Sequence, residues 1–499
     1  MTSFDLLIAG FGTALEPTNL AFALIGCVLG MLVGVLPGIG PVAGTAILLP
    51  VTFSMGPTPA IIMLAAIYYG AMYGGTITSV LVNVPGEGAS AITCLDGYEM
   101  AKQGRAGQAL AIAAIGSFIG GLIATAGLVL LAGPLTRLAL KFGPPEFFAL
   151  MLVGLSLVTG LAGHSLVRAL ISAVLGLLVA MVGIDPVMGA PRFTFGNLNL
   201  LGGIDVVVVA MGLFGVGEIL IGLERKEGDA ALHAKAPTLR LTREDIRRSV
   251  MPIVRGTGIG FFLGLIPGVG AIVPTVMSYV AERKLSKTPQ KFGTGMIEGV
   301  AGPETANNAY SNAALIPLFT LGIPGSPTVA IIMGAFMMNG IVPGPFLFRD
   351  HADLVWGVIA SFCIGNAILL VLNLPLIPLW IKIIQIPRAI LFTFVLGFCA
   401  LGAYSVNGQA FDIGTMTVFG ILGYLFKKVD IPLAPMILTL ILGPLMEQSL
   451  RQSLEISGGD FSVFFTRPIA LTLILVAVAF IGLATHQTVA RVRGADSEV

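Results

Sequence analysis

Residues 295–340 read GMIEGVAGPETANNAYSNAALIPLFTLGIPGSPTVAIIMGAFMMNG, and the fold follows from reading outward from them. Both ends are apolar enough to lie in a bilayer, yet the middle carries Glu304, Thr305, Asn307, Asn308, Tyr310, Ser311 and Asn312. Pro324 and Gly325 then interrupt the helical pattern. In hydrocarbon, non-helical backbone survives only where protein or a water-filled cavity satisfies its polar groups. An acidic side chain at mid-bilayer costs roughly 2.5–3.5 kcal/mol on insertion scales, so such residues usually mark an ion or substrate path. The stretch reads as part of a transport site.

Composition sets the class. Of the 499 residues, 56% are hydrophobic and 11% charged, with a mean hydropathy of +0.96. Soluble domains carry about 25% charged residues, so the chain is expected to be an all-α polytopic membrane protein with a dozen or so spans of roughly 20 residues. A net charge of +1 gives no sign of a nucleic-acid partner. Cys27, Cys94, Cys363 and Cys399 stand singly in apolar runs, and His164, His233, His351 and His486 are dispersed, so neither a metal site nor a resident cofactor is expected. The first 18 residues contain no Lys or Arg, which argues against a cleavable signal peptide.

Residues 19–36 and 42–53 are apolar arms around Pro37-Gly38-Ile39-Gly40-Pro41, the pattern of a re-entrant hairpin. Residues 60–84 follow, polar at Tyr68, Tyr69, Tyr73, Thr76, Thr78, Ser79 and Asn83, and stop at Pro85-Gly86-Glu87-Gly88. Spans are expected at residues 109–133, 147–163, 169–183 and 204–222, before a basic hydrophilic segment at 223–248. The chain then repeats itself. Pro267-Gly268-Val269-Gly270 echoes Pro37-Gly38-Ile39-Gly40 at an offset of 230 (37 to 267), and Pro324-Gly325-Ser326 echoes Pro85-Gly86-Glu87 at an offset of 239 (85 to 324). Two tips and two breaks in the same order indicate an internal duplication: a first membrane repeat at 1–224, a cytoplasmic linker at 225–248 and a second repeat at 249–499.

Charge gives the orientation. Arg247 and Arg248 precede the second hairpin and Arg283, Lys284, Lys287 and Lys291 follow it, so the positive-inside rule places both its ends in the cytoplasm. The first hairpin has no flanking cation, which suits the outer side. Lys382, Arg388, Lys427, Lys428, Arg491 and Arg493 fall inside, with a cytoplasmic C-terminus, whereas Arg137, Lys141, Arg192, Arg349, Arg451 and Arg467 fall outside. The simplest arrangement is two inverted-topology repeats with re-entrant hairpins and broken transmembrane helices, the common design of secondary transporters.

The four Pro/Gly breaks are expected to converge. Half-helix N-termini favour an anion, while unwound carbonyls and helix C-termini suit a cation. No Lys or Arg occurs between Gly34 and Leu95 or between Phe292 and Gly340. An anionic ligand must then be held by backbone N–H groups, Ser, Thr and Asn, with a co-bound cation. The candidate substrate contacts are Pro37, Gly38, Gly40, Thr45, Asn83, Pro85, Gly86, Pro267, Gly268, Gly270, Thr275, Asn308, Asn312, Pro324, Gly325 and Ser326. Glu87, Glu304 and Asn307 are the coupling-ion candidates, for Na⁺ or H⁺. Bland readings stand beside these: the asparagines as helix-to-helix hydrogen bonds, Glu304 as an N-cap beside Pro303, Glu298 as a structural acid, and Gly26, Gly30 and Gly34 as a packing stripe.

The motifs GVLPGIGPVAGTAILLP, GLIPGVGAIVPTVMSY and GMIEGVAGPETANNAYSNAALIPLFTLGIPGSPTVAIIMGAF resemble the large membrane subunit of the tripartite tricarboxylate transporters, the TctA family, over essentially the whole chain. The resemblance implies a bacterial inner-membrane secondary transporter for citrate or related carboxylates. It also implies cation coupling, a smaller membrane subunit and a periplasmic solute-binding protein as partners. A passive channel or facilitator for a small organic anion is the alternative. It would need a continuous polar path, whereas polarity here is concentrated at four breaks. An enzyme is not expected, since no nucleotide loop or metal-ligand cluster occurs.

Overall fold

Glycines at every fourth position decide how the central helices meet. The computed structural model describes residues 3–36, 39–139, 141–156, 165–185, 188–224, 239–384 and 388–495. In chain order, α1 (Ser3–Ala14) precedes the first hairpin, α2 (Pro17–Val35) and α3 (Gly40–Leu48), and α4 (Pro57–Val82) follows. A 3-10 turn (Gly88–Ile92) leads into α5 (Thr93–Lys102), α6 (Ala106–Ala139), α7 (Pro144–Ser156) and α8 (Leu166–Ala180). Strands β1 (Gly183–Ile184) and β2 (Pro191–Arg192) pair antiparallel. Next, α9 (Val206–Ala210), a π-helical stretch (Met211–Val216) and α10 (Gly217–Glu224) run as one rod.

The second half has α11 (Arg243–Gly264), α12 (Ile272–Leu285), α13 (Glu298–Ala313), α14 (Leu315–Leu321) and α15 (Pro327–Met338). It continues with α16 (Leu347–Asp350), α17 (Ala352–Asn373), α18 (Ile377–Ile384) and α19 (Arg388–Asn407). The last helices are α20 (Ala410–Lys428), α21 (Ala434–Ile456), α22 (Val463–Thr466) and α23 (Pro468–Ala495).

A Cβ on Gly26, Gly30 or Gly34 of α2 would lie 2.5, 2.5 or 2.2 Å from the carbonyl oxygens of Met63, Ile67 and Ala71 of α4. A Cβ on Gly256, Gly260 or Gly264 of α11 would lie 2.4, 2.2 or 3.0 Å from those of Gly302, Ala306 and Tyr310 of α13. The glycines are related by the offset of 230 and the carbonyls by that of 239 (26 to 256, 63 to 302). The same backbone-to-backbone seam therefore occurs twice, and the Gly26–Gly30–Gly34 stripe is packing. Small residues are what lets helices approach this closely in a membrane.

The duplicated helices form the centre. The membrane-spanning part of α4 is wholly buried, and α13 is buried from Gly299 to Ala313 despite its polar sequence. Exposed apolar side chains lie on the outer helices, as at Leu130, Phe394 and Val478, and on the outward face of α11 at Phe262. For a bilayer-embedded chain this is the lipid-facing surface.

The chain is thus an all-α polytopic membrane protein, with one correction to the expected number of spans. Among the described residues, seven helices rather than a dozen are long and apolar enough to cross a bilayer, and six further apolar helices are shorter. Pro and Gly breaks cut the remaining apolar sequence into pieces below spanning length. The N-terminal stretch before residue 19 is itself a helix, α1, seated on α17 where Gly10 meets the Trp356 carbonyl. Helix α11 starts at Arg243, inside the expected 225–248 linker, because Thr242 and Asp245 form a reciprocal capping box there. Linker residues 225–238, and residues 157–164 of the expected 147–163 span, lie outside the described residues.

Candidate functional site

The breaks bound one cavity of about 260 Å³. Residues 39–43 of the first hairpin, 87–89 after the first helix break, 270–272 of the second hairpin and 326–328 after the second break all line it. Tyr68 and Met72 of α4, Phe214 of the π-helical stretch and Glu218 of α10 complete the wall. Each break contributes the beginning of a helix: α3, the 3-10 turn at Gly88, α12 and α15.

These helix starts differ in how they are capped, and the difference is chemical. Glu87 and Ser326 occupy equivalent positions, related by the offset of 239, and each is an N-cap. The Glu87 carboxylate accepts from the Ala89 N–H at 2.9 Å, within a box completed by Ser90. Ser326 Oγ accepts from the Val329 N–H at 3.3 Å. The starts of α3 and α12 have no side-chain cap. The first N–H groups of a helix lack intrahelical partners and carry the positive end of its dipole. The two hairpin arms therefore present open anion-favouring ends, while the two broken helices arrive already capped, one of them by a negative charge.

The hairpin tips hold the turns that glycine permits. Gly40 has φ +66° and Gly270 has φ +74°, and a Cβ on Gly40 would meet nothing within 4 Å, because it faces the cavity. Gly268 donates to the Gly325 carbonyl at 3.0 Å, and the Tyr310 hydroxyl donates to the same oxygen at 3.1 Å. The second tip is thereby tied to the second break.

Beside the cavity lies a buried acidic network. Asn307 Nδ2 donates to Glu87 Oε1 at 2.9 Å. Glu304, 1% exposed, accepts from Thr76 at 2.6 Å and from Thr93. Ser79 donates to Ser90 at 3.0 Å. Neither carboxylate has a Lys or Arg partner among the described residues. The Oδ1 atoms of Asn307, Asn308 and Asn312 are buried without a hydrogen-bond partner. An unpaired buried charge is costly. Glu304 lies inside α13, which corrects its reading as an N-cap. Glu298, at the start of α13, pairs with Arg248 at 2.7 Å.

Gly40, Gly270 and Ser326 line the cavity with Glu87, whereas Asn307 and Glu304 stand behind it. Asn308 and Asn312 turn toward α6, donating to Ser117 Oγ at 2.7 Å and to the Gly121 carbonyl at 3.1 Å. Thr45 and Thr275 are buried within α3 and α12, off the wall, and Thr275 donates to the Ile272 carbonyl at 2.8 Å. Asn83 is an exposed left-handed cap of α4 with φ 55°, equivalent to Gly322 at the end of α14 with φ 72°. Gly86 and Gly325 are packing positions: their Cβ atoms would meet the Gly34 and Ala314 carbonyl oxygens at 1.9 and 2.5 Å. Pro85, Pro267, Gly268 and Pro324 shape the breaks without lining the cavity. Pro37 and Gly38 lie outside the described residues.

A model of the tripartite tricarboxylate transporter TctA family matches residues 20–438. The chain belongs to that family. It is 49% identical over 478 residues to an uncharacterized 52.8 kDa protein in the TAR-I ttuC' 3' region of Agrobacterium vitis, covering 96% of this chain and 95% of that protein. It is 48% identical over 225 residues to a second uncharacterized protein, from the TAR-II ttuC' 3' region of the same organism, covering 45% of this chain and 93% of that protein. No solved structure matches. Membership makes this chain a multi-pass component of a tricarboxylate transport system. In this TctA-family chain the wall residues that sequence reasoning missed include Tyr68, Met72, Phe214, Glu218 and Thr328. Glu218 carried a usable signal, an acid within the expected 204–222 span, and it pairs with Lys427 of α20. Tyr68 also had one, since it is the duplicate of Asn307 at the offset of 239.

Proposed function

We propose that this chain is the large membrane subunit of a secondary active transporter that carries a tricarboxylate such as citrate, or a related carboxylate, across the bacterial inner membrane. Its substrate binds in the cavity where the four breaks meet. The observation that carries this reading is the pair of uncapped helix starts, α3 and α12, facing a cavity that no Lys or Arg lines among the described residues. Each helix start is worth roughly 0.3–1 kcal/mol toward an anion, and up to about 2 when partly buried. Ser326 and Thr328 supply hydroxyl donors.

Glu87, Glu304 and Asn307 hold the coupling ion, Na⁺ or H⁺, which offsets the carboxylates beside an anionic substrate. Transport is then symport, driven by the gradient, with alternating access between two inverted repeats on either side of the linker. A small membrane subunit and a periplasmic solute-binding protein complete the system and deliver the substrate. The C-terminus lies in the cytoplasm.

The test is citrate uptake into vesicles holding this subunit with its small membrane partner, with the binding protein and a panel of other di- and tricarboxylates. Sodium is replaced at fixed pH, and then a pH step is imposed at fixed sodium. Saturable uptake that follows one of the two gradients supports the reading. Uptake indifferent to both defeats the coupling claim, and linear uptake favours a passive facilitator.

A further inference from the structure

A second cavity, of about 380 Å³, lies between the arms of the second hairpin, at the ends of α11 and α12 away from the tip. The positive-inside rule assigns this face to the cytoplasm. Arg248, Arg255, Lys287 and Lys291 line it together with Glu282 and Glu298. Both arginines are held rigidly. Arg248 donates from Nε and Nη2 to Glu298, both at 2.7 Å, and Arg255 donates from the same atoms to Glu282 at 2.7 and 2.5 Å. Nη1 of each guanidinium is uncommitted among the described residues, and Lys287 and Lys291 make no ion pair there. The wall therefore carries two positive charges beyond its acids, with fixed donors and the hydroxyls of Ser286 and Thr288 beside them.

Exposed apolar side chains share the rim of the cavity with Lys287 and Lys291. Met251 and Leu285, both lining it, are 60% and 64% exposed. From there, exposed stripes continue along the hairpin: Val250 and Val254 on α11, and Val276, Met277 and Val280 on α12. A cationic recess flanked by exposed apolar stripes on α11 and α12 fits an amphiphile with a phosphate head and acyl tails. Basic pockets between membrane helices on the cytoplasmic side recognise such headgroups.

We propose that this cavity binds the headgroup of an anionic phospholipid, with its acyl chains along the exposed apolar faces of α11 and α12. The lipid then braces the hairpin whose tip forms part of the central cavity. This proposal stands independently of the substrate and coupling ion.

The test uses the full chain, purified, delipidated and returned to phosphatidylcholine nanodiscs with added phosphatidylglycerol, with retained lipid counted by native mass spectrometry. Each surface cation is worth about 1 kcal/mol toward anionic lipid. Lys287→Gln with Lys291→Gln should therefore weaken phosphatidylglycerol retention roughly thirtyfold. Lys287→Arg with Lys291→Arg should keep it, and Lys382→Gln, a lysine outside the cavity, should leave it unchanged. Equal loss in the Lys382→Gln variant, or no preference for phosphatidylglycerol, would overturn the proposal. So would inorganic phosphate alone occupying the cavity and displacing the lipid.

Discussion

Glu87→Gln separates charge from architecture at the central site. The native carboxylate accepts from the Ala89 N–H and from Asn307 Nδ2, both at 2.9 Å, and closes the capping box with Ser90. A glutamine has one oxygen to offer, which keeps the cap on Ala89, and its amide then faces a donor. Left so, the buried clash would cost about 1–3 kcal/mol. Asn307 relieves it, because its own Oδ1 is buried without a partner, and a flip of that amide lets the introduced side chain donate where the carboxylate accepted. The net change in stability should stay below about 1 kcal/mol, a shift of the thermal midpoint of no more than roughly 2 °C. Under the proposed symport, transport should behave differently: the negative charge is gone, so uptake of the carried carboxylate should lose its dependence on the coupling gradient. Thermal unfolding in detergent and vesicle uptake, measured on the same preparation, check both halves. Wild-type gradient dependence in Glu87→Gln would refute the assignment of Glu87 as an ion ligand. A loss above about 3 kcal/mol would refute the amide-flip argument.

Three further outcomes follow from the packing and the buried acids. Gly260→Ala drives a methyl to 2.2 Å from the Ala306 carbonyl and should destabilise by about 1–3 kcal/mol, whereas Gly258→Ala, with nothing within 4 Å, should be neutral or stabilise by up to about 1 kcal/mol; thermal midpoints of the two variants compare them on one helix. Asp96 Oδ1 accepts from the N–H groups of Gly293, Gly295 and Met296 at 2.9, 2.9 and 2.7 Å, so Asp96→Asn should cost about 2–3 kcal/mol and raise hydrogen exchange at those amides. Arg255→Ala strands Glu282, 2% exposed, and should cost about 3–5 kcal/mol; Arg255→Ala combined with Glu282→Gln should recover part of it in the same unfolding assay.

The membrane class, the two tips and the two breaks were legible because Pro and Gly interrupt apolar runs at matching offsets, and the structure brings all four to one cavity. The side each polar residue faces was not. Asn308 and Asn312 share one face of α13, but only tertiary packing shows that this face meets Ser117 and Gly121 rather than the cavity. Thr45 and Thr275 sit at duplicate positions, yet one turn inside each arm their side chains are off the wall. Glu87 was legible as an acid at a break, but its role as a cap equivalent to Ser326 needed backbone geometry. Glu218 went unnoticed because it lies in an otherwise apolar span with no break of its own.

The claim that the substrate sits where the four breaks meet is tested most directly by protection. Ser326→Cys, in a background with Cys27, Cys94, Cys363 and Cys399 replaced, places one thiol on the cavity wall. Its labelling by a membrane-permeant maleimide is followed with and without citrate, alongside the other carboxylates and the coupling ion. The transported carboxylate should slow labelling, and slow it further when the coupling ion is present. A variant that still transports its carboxylate, yet is labelled at the same rate with and without it, would contradict the placement of the site.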